Sequence, residues 1–177
     1  MELSDTDRRT FLKDEYLLLQ NQYEDFDRRS LTIKGWVASG AAAALAISFS
    51  TSYRLSVLIP VFVTVIALVF WYLEAKWKLF QYALADRIRV IEAYFRDDPN
   101  KPEASPAPFQ IYNAWYRSYV KDEPIYEYEK AFRPRPQIAR LGAAAMQPFV
   151  NALYVVIILL SIISFVLLLS FPGGVRC

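Results

Sequence analysis

Three long stretches of this sequence contain no charged side chain. The first two occupy residues 35–53 and 55–73, and the third occupies residues 141–175. A helix of nineteen residues is about 28 Å long, which matches the hydrocarbon core of a bilayer at roughly 30 Å. Each of the first two stretches therefore predicts one transmembrane helix. In the third stretch, residues 149–171 are the most apolar and predict the crossing, with Pro148 in the first helical turn.

The three predicted spans differ in how strongly a bilayer would hold them. On an insertion scale, each Leu, Ile, Phe or Val contributes about −0.3 to −0.6 kcal/mol. The second span has 13 such residues and the third has 17, but the first has only four. Small residues recur at every fourth position of the first span, and such rows let helix backbones approach closely.

Two interpretations of the first span stay open. It packs inside the protein against the other two spans, or it lines a pore in an oligomer. The candidate pore or packing face consists of Ser39, Gly40, Ala43, Ala44 and Ser48.

Lys and Arg residues are concentrated in two parts of the chain. Residues 1–34 contain six of them and residues 74–140 contain twelve, whereas Arg54 and Arg176 are the remaining two. Loops rich in Lys and Arg stay on the cytoplasmic side of a membrane. We therefore expect a cytoplasmic N-terminus and central region, with the C-terminus on the far side.

The predicted cytoplasmic parts contain two amphipathic helices. Residues 5–33 follow a helix cap at Ser4 and contain neither Gly nor Pro, and their apolar seam is Leu12, Tyr16, Leu19, Tyr23, Phe26 and Ile33, interrupted only at Ser30. The second span continues into a similar face formed by Leu73, Trp77, Phe80, Leu84, Ile88, Ile91 and Phe95. The second helix is expected to end near Asp97-Asp98-Pro99. Because the transmembrane hairpin places both helices side by side, we expect an antiparallel coiled stalk.

A proline-rich linker at residues 97–108 leads into an aromatic and basic segment. Three interpretations apply: an interfacial helix among lipid headgroups, a cap folded onto the stalk, or a ligand site in which rings stack a base and Arg binds phosphate. The candidate ligand or headgroup contacts are Tyr112, Trp115, Tyr116, Arg117, Arg133 and Arg135.

Several kinds of chemistry lack the residues they need. The sequence has no histidine, one cysteine at Cys177, and five glycines that all lie at or within membrane segments. These absences argue against His-dependent catalysis, a Cys zinc site and a phosphate-binding glycine loop. The spans contain no ionisable residue, which disfavours a carrier or pump. We expect no enzyme activity, catalytic residue, cofactor, metal or direct nucleic-acid binding.

A short charged motif carries a family resemblance. Residues 23–36 read Tyr-Glu-Asp-Phe-Asp-Arg-Arg-Ser-Leu-Thr-Ile-Lys-Gly-Trp and lead into a small-residue span, and the second span runs into Trp71-Tyr72-Leu73-Glu74. Over about residues 10–96 the chain resembles small bacterial membrane proteins of uncharacterised function and, more loosely, SLATT-type two-span effectors of prokaryotic nucleotide-signalled defence. The resemblance implies an oligomeric effector of the bacterial inner membrane that perturbs the bilayer when a cytoplasmic protein or nucleotide signals infection. The third span is an addition to that layout.

The sequence therefore predicts an all-α integral membrane protein with three transmembrane helices and a cytoplasmic antiparallel helical stalk. Its expected parts are a cytoplasmic helix at 1–34, a transmembrane hairpin at 35–73, a second cytoplasmic helix at 74–97, the linker and aromatic segment at 98–140, and the third span with its tail at 141–177. In function we expect a homo-oligomeric ion channel or membrane-disrupting effector gated through the cytoplasmic helices. The alternative is a non-conducting anchor or adaptor that presents residues 98–140 to a protein partner.

Overall fold

A computed structural model describes residues 4–50, 53–99, 103, 106–121, 123 and 137–170 of the chain. The elements are α1 (Asp5–Ser48), α2 (Tyr53–Phe95), α3 (Ile111–Trp115), a π-helix (Tyr116–Lys121), α4 (Gln137–Ala145) and α5 (Pro148–Ser170). Over these residues every regular element is helical. The helices α1, α2 and α5 are long and apolar enough to cross a membrane. The prediction of an all-α membrane protein with three membrane-length helices is confirmed.

The first helix begins at the predicted cap. The Ser4 hydroxyl accepts the Asp7 N–H at 3.2 Å and donates to the Asp7 carboxylate at 2.8 Å, so a free N–H of the first turn is satisfied. From Asp5 the helix continues for 44 residues. The predicted boundary between residues 34 and 35 therefore lies inside one uninterrupted helix.

The end of α1 differs from the prediction. The expected span extended to Tyr53, but the helix stops at Ser48. The Ser48 and Ser50 hydroxyls donate to the carbonyls of Leu45 and Ile47, at 2.6 and 2.9 Å, and so compete for acceptors that a longer helix would use.

The second helix ends close to the predicted position. After Phe95 the chain leaves the helix through Asp97, whose φ of 53° is in the left-handed region. The Asp98 N–H donates to the Ala93 carbonyl at 3.0 Å, and the Asp97 N–H donates to the Tyr94 carbonyl at 3.2 Å. This pattern satisfies carbonyls that the helix end leaves open.

The third membrane helix follows a short helix that was not predicted. The prediction of 149–171 agrees with α5 at Pro148–Ser170, whereas α4 at Gln137–Ala145 was missed. Pro148 has no N–H with which to continue α4 into α5. A new helix starts instead, and the Gln147 carbonyl accepts the N–H groups of Val150 and Asn151 at 2.9 and 3.0 Å.

Contacts divide the chain into two units. Unit 1 comprises Met1–Arg28 and Lys76–Gly142. Its core is formed by Leu12 and Leu19 of α1 with Leu84, Ile88 and Ile91 of α2, and Phe26, Phe80 and Trp115 pack around them. The two predicted apolar faces therefore do pack together. Trp77 and Phe95 are 40% and 46% exposed, so the predicted face of α2 is longer than the buried one.

Unit 2 comprises Arg29–Ala75 and Ala143–Cys177. All three membrane-length helices contribute to its core, which is formed by Ala41, Leu45, Val63, Ala67, Tyr154 and Ile157. Large apolar side chains such as Phe62 of α2 and Ile163 of α5 remain exposed. Exposed residues of this kind are expected where a helix faces lipid.

Candidate functional site

One exposed side of α1 in unit 2 carries a group of small residues, with the larger Trp36 and Ile47 among them. We define this small-residue face as Ser39, Gly40, Ala42, Ala43 and Ala46. A Cβ atom added at Gly40 would meet no described atom within 4 Å beyond the backbone of its own helix. In an isolated protomer the face would be covered by lipid, and its only large apolar neighbours on the same side of α1 among the described residues are Trp36 and Ile47, which are 74% and 52% exposed.

The predicted pore or packing set divides between two sides of α1. Ser39, Gly40 and Ala43 lie on the small-residue face, whereas Ala44 is partly buried beside the core and Ser48 is buried. The reason is that four residues turn a helix by about 40° more than one full turn, so a row at that spacing moves gradually around the helix. The two interpretations of the first span thus apply to opposite faces of one helix.

A charged cluster joins the three membrane-length helices of unit 2. The Lys34 ammonium lies 2.7 Å from the Glu74 carboxylate, and the Ser30 hydroxyl donates to the same carboxylate oxygen at 2.8 Å. Lys34 also donates to the main-chain carbonyl of Phe149, at the start of α5. The Lys34 and Glu74 side chains are only 15% and 9% exposed. We call these four groups the junction cluster.

The junction cluster neutralises two charges where water is largely excluded. An ion pair withdrawn from water is tolerated when its geometry is good and further hydrogen bonds support it. Ser30 and the Phe149 carbonyl provide two such bonds, whereas the second oxygen of Glu74 is buried and has no hydrogen-bond partner among the described residues. In chemical terms the cluster can tie α1, α2 and α5 together at one point.

The pairing of Lys34 with Glu74, which stand at the ends of two uncharged stretches, was not predicted from the sequence. A signal was present. Lys34 lies three residues before Val37, which is followed at intervals of four residues by Ala41 and Leu45. This spacing places Lys34 on the buried face of α1. Glu74 follows the buried Ala67 by seven residues on α2.

The described part of the aromatic segment, residues 109–121, folds onto α1 and α2 in unit 1, and residues 124–132 of the segment lie outside the described residues. We call residues 106–121 the strap. The Trp115 ring packs against Phe80 at 5.3 Å between centroids and stacks on Tyr119 at 5.2 Å with an angle of 14°. Ile111 packs against the same core. This packing agrees with the cap interpretation of the segment.

The predicted ligand contacts are therefore divided. Trp115 belongs to the packing of unit 1. Tyr112 and Tyr116 lie on the outer face of the strap, stacked at 6.2 Å, and the neighbouring Arg117 pairs with Glu123 at 3.2 Å. Arg133 and Arg135 lie outside the described residues. Of the four that the structure describes, Tyr112, Tyr116 and Arg117 lie at the surface.

The described residues provide no group of three or more His, Cys, Asp or Glu side chains that could hold a metal ion. The buried carboxylates of unit 1 already have donors. Asp86 accepts a hydrogen bond from the Ser118 hydroxyl, and Glu15 accepts two from the Arg87 guanidinium at 2.9 and 3.1 Å. Their arrangement suits the docking of the strap rather than coordination of an ion.

Comparison with known proteins adds no relative from which a function could be transferred. No protein-family model, curated protein or solved structure matches this chain. The resemblance of residues 10–96 to SLATT-type effectors rests on architecture and a short motif, and it stays a prediction.

Proposed function

We propose that this protein is a homo-oligomeric membrane protein whose first spans pack against one another through the small-residue face, and that the assembly conducts ions or disrupts the bilayer. The observation that carries the proposal is the exposure of that face. Its helix is held weakly by lipid, because its four large apolar residues contribute only about −1 to −2.5 kcal/mol. Small residues at four-residue spacing favour contact between helices over contact with lipid. Ser39 adds a hydroxyl that suits a water-filled path.

The proposed topology places unit 1 in the cytoplasm. Its support is the distribution of charge, since eighteen of the twenty Lys and Arg residues fall in residues 1–34 and 74–140. Contacts between α1 and α2 support an antiparallel stalk, because residues later in α1 contact residues earlier in α2. The contacts join Tyr16 with Glu92, Tyr23 with Gln81 and Asp27 with Lys78.

Control from the cytoplasm is part of the proposal. Both α1 and α2 run from unit 1 into unit 2 without a break, so a displacement of either helix in unit 1 has a direct route to the spans. In line with the SLATT-type resemblance, the proposed trigger is a cytoplasmic protein or a nucleotide, and the proposed location is a bacterial inner membrane.

The test is ion flux through liposomes that contain the purified protein, with and without candidate cytoplasmic ligands. Ala43→Leu places a large side chain on the small-residue face and should abolish both assembly and flux. The matched control is Ala152→Leu, which makes the same change at an exposed position of α5 and should leave flux unchanged. A tight bilayer under every condition, or a strictly monomeric protein by mass, would refute the proposal.

A second candidate function is an anchor that presents the strap to a partner protein. The observation in its favour is the 71% and 70% exposure of Phe109 and Tyr112, aromatic side chains that the core of unit 1 does not use. A partner captured by the wild-type protein and lost in a Phe109→Ala/Tyr112→Ala variant, together with no conductance, would favour this function.

A further inference from the structure

The strap completes a buried ion pair between α1 and α2. Glu15 and Arg87 are 2% and 3% exposed at their side chains, and two hydrogen bonds at 2.9 and 3.1 Å join them. The main chain of the strap adds two more. The Phe109 N–H donates to Glu15 at 2.8 Å, and the Ala107 carbonyl accepts from Arg87 at 2.7 Å. Both charges therefore use the strap to replace the water that burial removes.

A second attachment holds the other end of the strap. The Ser118 hydroxyl donates to the buried carboxylate of Asp86. Arg140 of α4 donates to the carbonyls of Ser118 and Tyr119 at 3.1 and 3.2 Å. These carbonyls lie in the π-helix, a form that is rare and that often occurs at functional positions. The strap is thus bound to charged groups near each of its ends.

The strap carries backbone strain at the point where it meets Glu15. Phe109 has a φ of 63°, in a region that a bulky side chain rarely adopts. This conformation directs its N–H at Glu15, while its ring lies 5.3 Å from that of Phe11 on α1. Such strain persists only where surrounding contacts enforce it. Loss of the contact to Glu15 would let the backbone relax, which favours undocking.

We propose that the strap is a releasable latch, which the Glu15–Arg87 pair holds in its docked position. The docked strap restrains α1 against α2 and holds the membrane assembly in its less conducting state. The restraint of flux rests on the proposed function above. The latch itself concerns unit 1 alone, and the two parts can be tested separately.

The test of the latch is hydrogen exchange of the full-length protein in nanodiscs, measured by mass spectrometry. Glu15→Leu/Arg87→Met replaces the pair with apolar side chains, which can preserve the packing of α1 on α2 while leaving the strap main chain without its partners. We expect exchange in residues 109–121 to rise by at least about tenfold, the equivalent of losing one of the two charge-assisted hydrogen bonds that the strap makes to the pair. Exchange at residues 12–19 and 84–91 should stay slow.

The matched control is Asp14→Asn, which removes a negative charge at the neighbouring exposed position of α1 and should leave strap exchange unchanged. Unchanged strap exchange in the double variant would overturn the latch. So would equal acceleration in the strap and in both helices, because the strap would then have no independent opening.

Flux through liposomes tests the regulatory part. With the strap released, flux should rise by about fivefold, the lower end of common allosteric couplings. A released strap with flux equal to a conducting wild type would overturn the restraint. If neither protein conducts under any condition, the proposed function fails, while the exchange result still decides whether the latch exists.

Discussion

The Lys34 ammonium of α1 lies 2.7 Å from the Glu74 carboxylate of α2. The same ammonium donates to the main-chain carbonyl of Phe149 in α5, so one side chain binds both other helices. The pair lies in the same unit as the cores of all three membrane-length helices. A charge at this position therefore has a structural task in addition to any effect on membrane topology.

Removal of one partner of this pair should be costly. Glu74→Ala leaves the Lys34 ammonium without its counter-charge, and we expect the free energy of unfolding to fall by about 3 kcal/mol, the lower end for buried pairs because Lys34 keeps some contact with solvent. Thermal unfolding in detergent micelles measures the change. Lys34→Met/Glu74→Met should recover most of the loss, and an equally unstable double variant would contradict this account.

Gly40 faces open space and its neighbour Ala41 lies in the core of unit 2. Substitutions at these two positions therefore distinguish effects on assembly from effects on folding. Gly40→Leu extends into open space, so the protomer should unfold at an unchanged temperature while the oligomer dissociates. Ala41→Leu overfills the core of unit 2 and should destabilise the protomer by about 1–3 kcal/mol. Mass photometry and thermal unfolding distinguish the two effects. An oligomer that survives Gly40→Leu would show that the interface lies elsewhere.

Trp115 and Tyr112 distinguish packing from surface recognition in the strap. Trp115→Ala removes a ring that packs on Phe80 and Tyr119, and we expect unit 1 to lose about 3 kcal/mol of stability, the lower end for large aromatic residues because Trp115 is only partly buried. Tyr112→Ala changes an exposed ring and should stay within about 0.5 kcal/mol of the wild type. Chemical denaturation followed by near-ultraviolet circular dichroism provides the comparison. Similar losses for both variants would mean that the outer face is also packed.

The stability of unit 1 should depend on pH through Tyr23. Burial, followed by the nearby Asp27 carboxylate and Tyr82, raises the pKa of the Tyr23 hydroxyl above its ordinary value of 10.0. The unfolded chain loses this proton first as the pH rises, so the free energy of unfolding should fall above about pH 10 until the folded protein also loses it. The difference in absorbance at 295 nm between the wild type and Tyr23→Phe follows this titration. A difference spectrum with an ordinary tyrosine midpoint would contradict the prediction.

The helical class and the membrane-length helices could be predicted because they depend on local pattern. Uncharged length defines α2 and α5, and the spacing of Leu12 and Leu19 identifies the buried side of α1. The end of α1 at Ser48 was missed because hydropathy treats serine as mildly polar and takes no account of its hydrogen bond to a carbonyl in the preceding turn.

The ion pairs were missed for a different reason. Glu15 stands between Leu12 and Leu19, and Arg87 stands between Leu84 and Ile91, at spacings that belong to a buried seam. A search for apolar periodicity passes over charged residues, although a charge at such a position requires a partner on the facing helix. Which partner it finds depends on the register between helices far apart in sequence.

Which of the small residues of α1 face the protein core could not be predicted either. Gly40, Ala44 and Ser48 have similar sizes, so composition cannot determine which of them faces α2 and α5. That outcome depends on where the larger Val37 and Leu45 side chains find a core.

The connection between α1 and α2 has a consequence for biosynthesis. Only four residues separate Ser48 from Tyr53. The insertion machinery would therefore meet a weakly apolar segment followed almost at once by a strongly apolar one. The large apolar residues of the first segment contribute only about −1 to −2.5 kcal/mol, and its serine and threonine residues offset part of this, so it partitions into lipid more weakly than the second segment. The close spacing of the two segments would favour their entry into the bilayer together as a helical hairpin, stabilised mainly by the second segment.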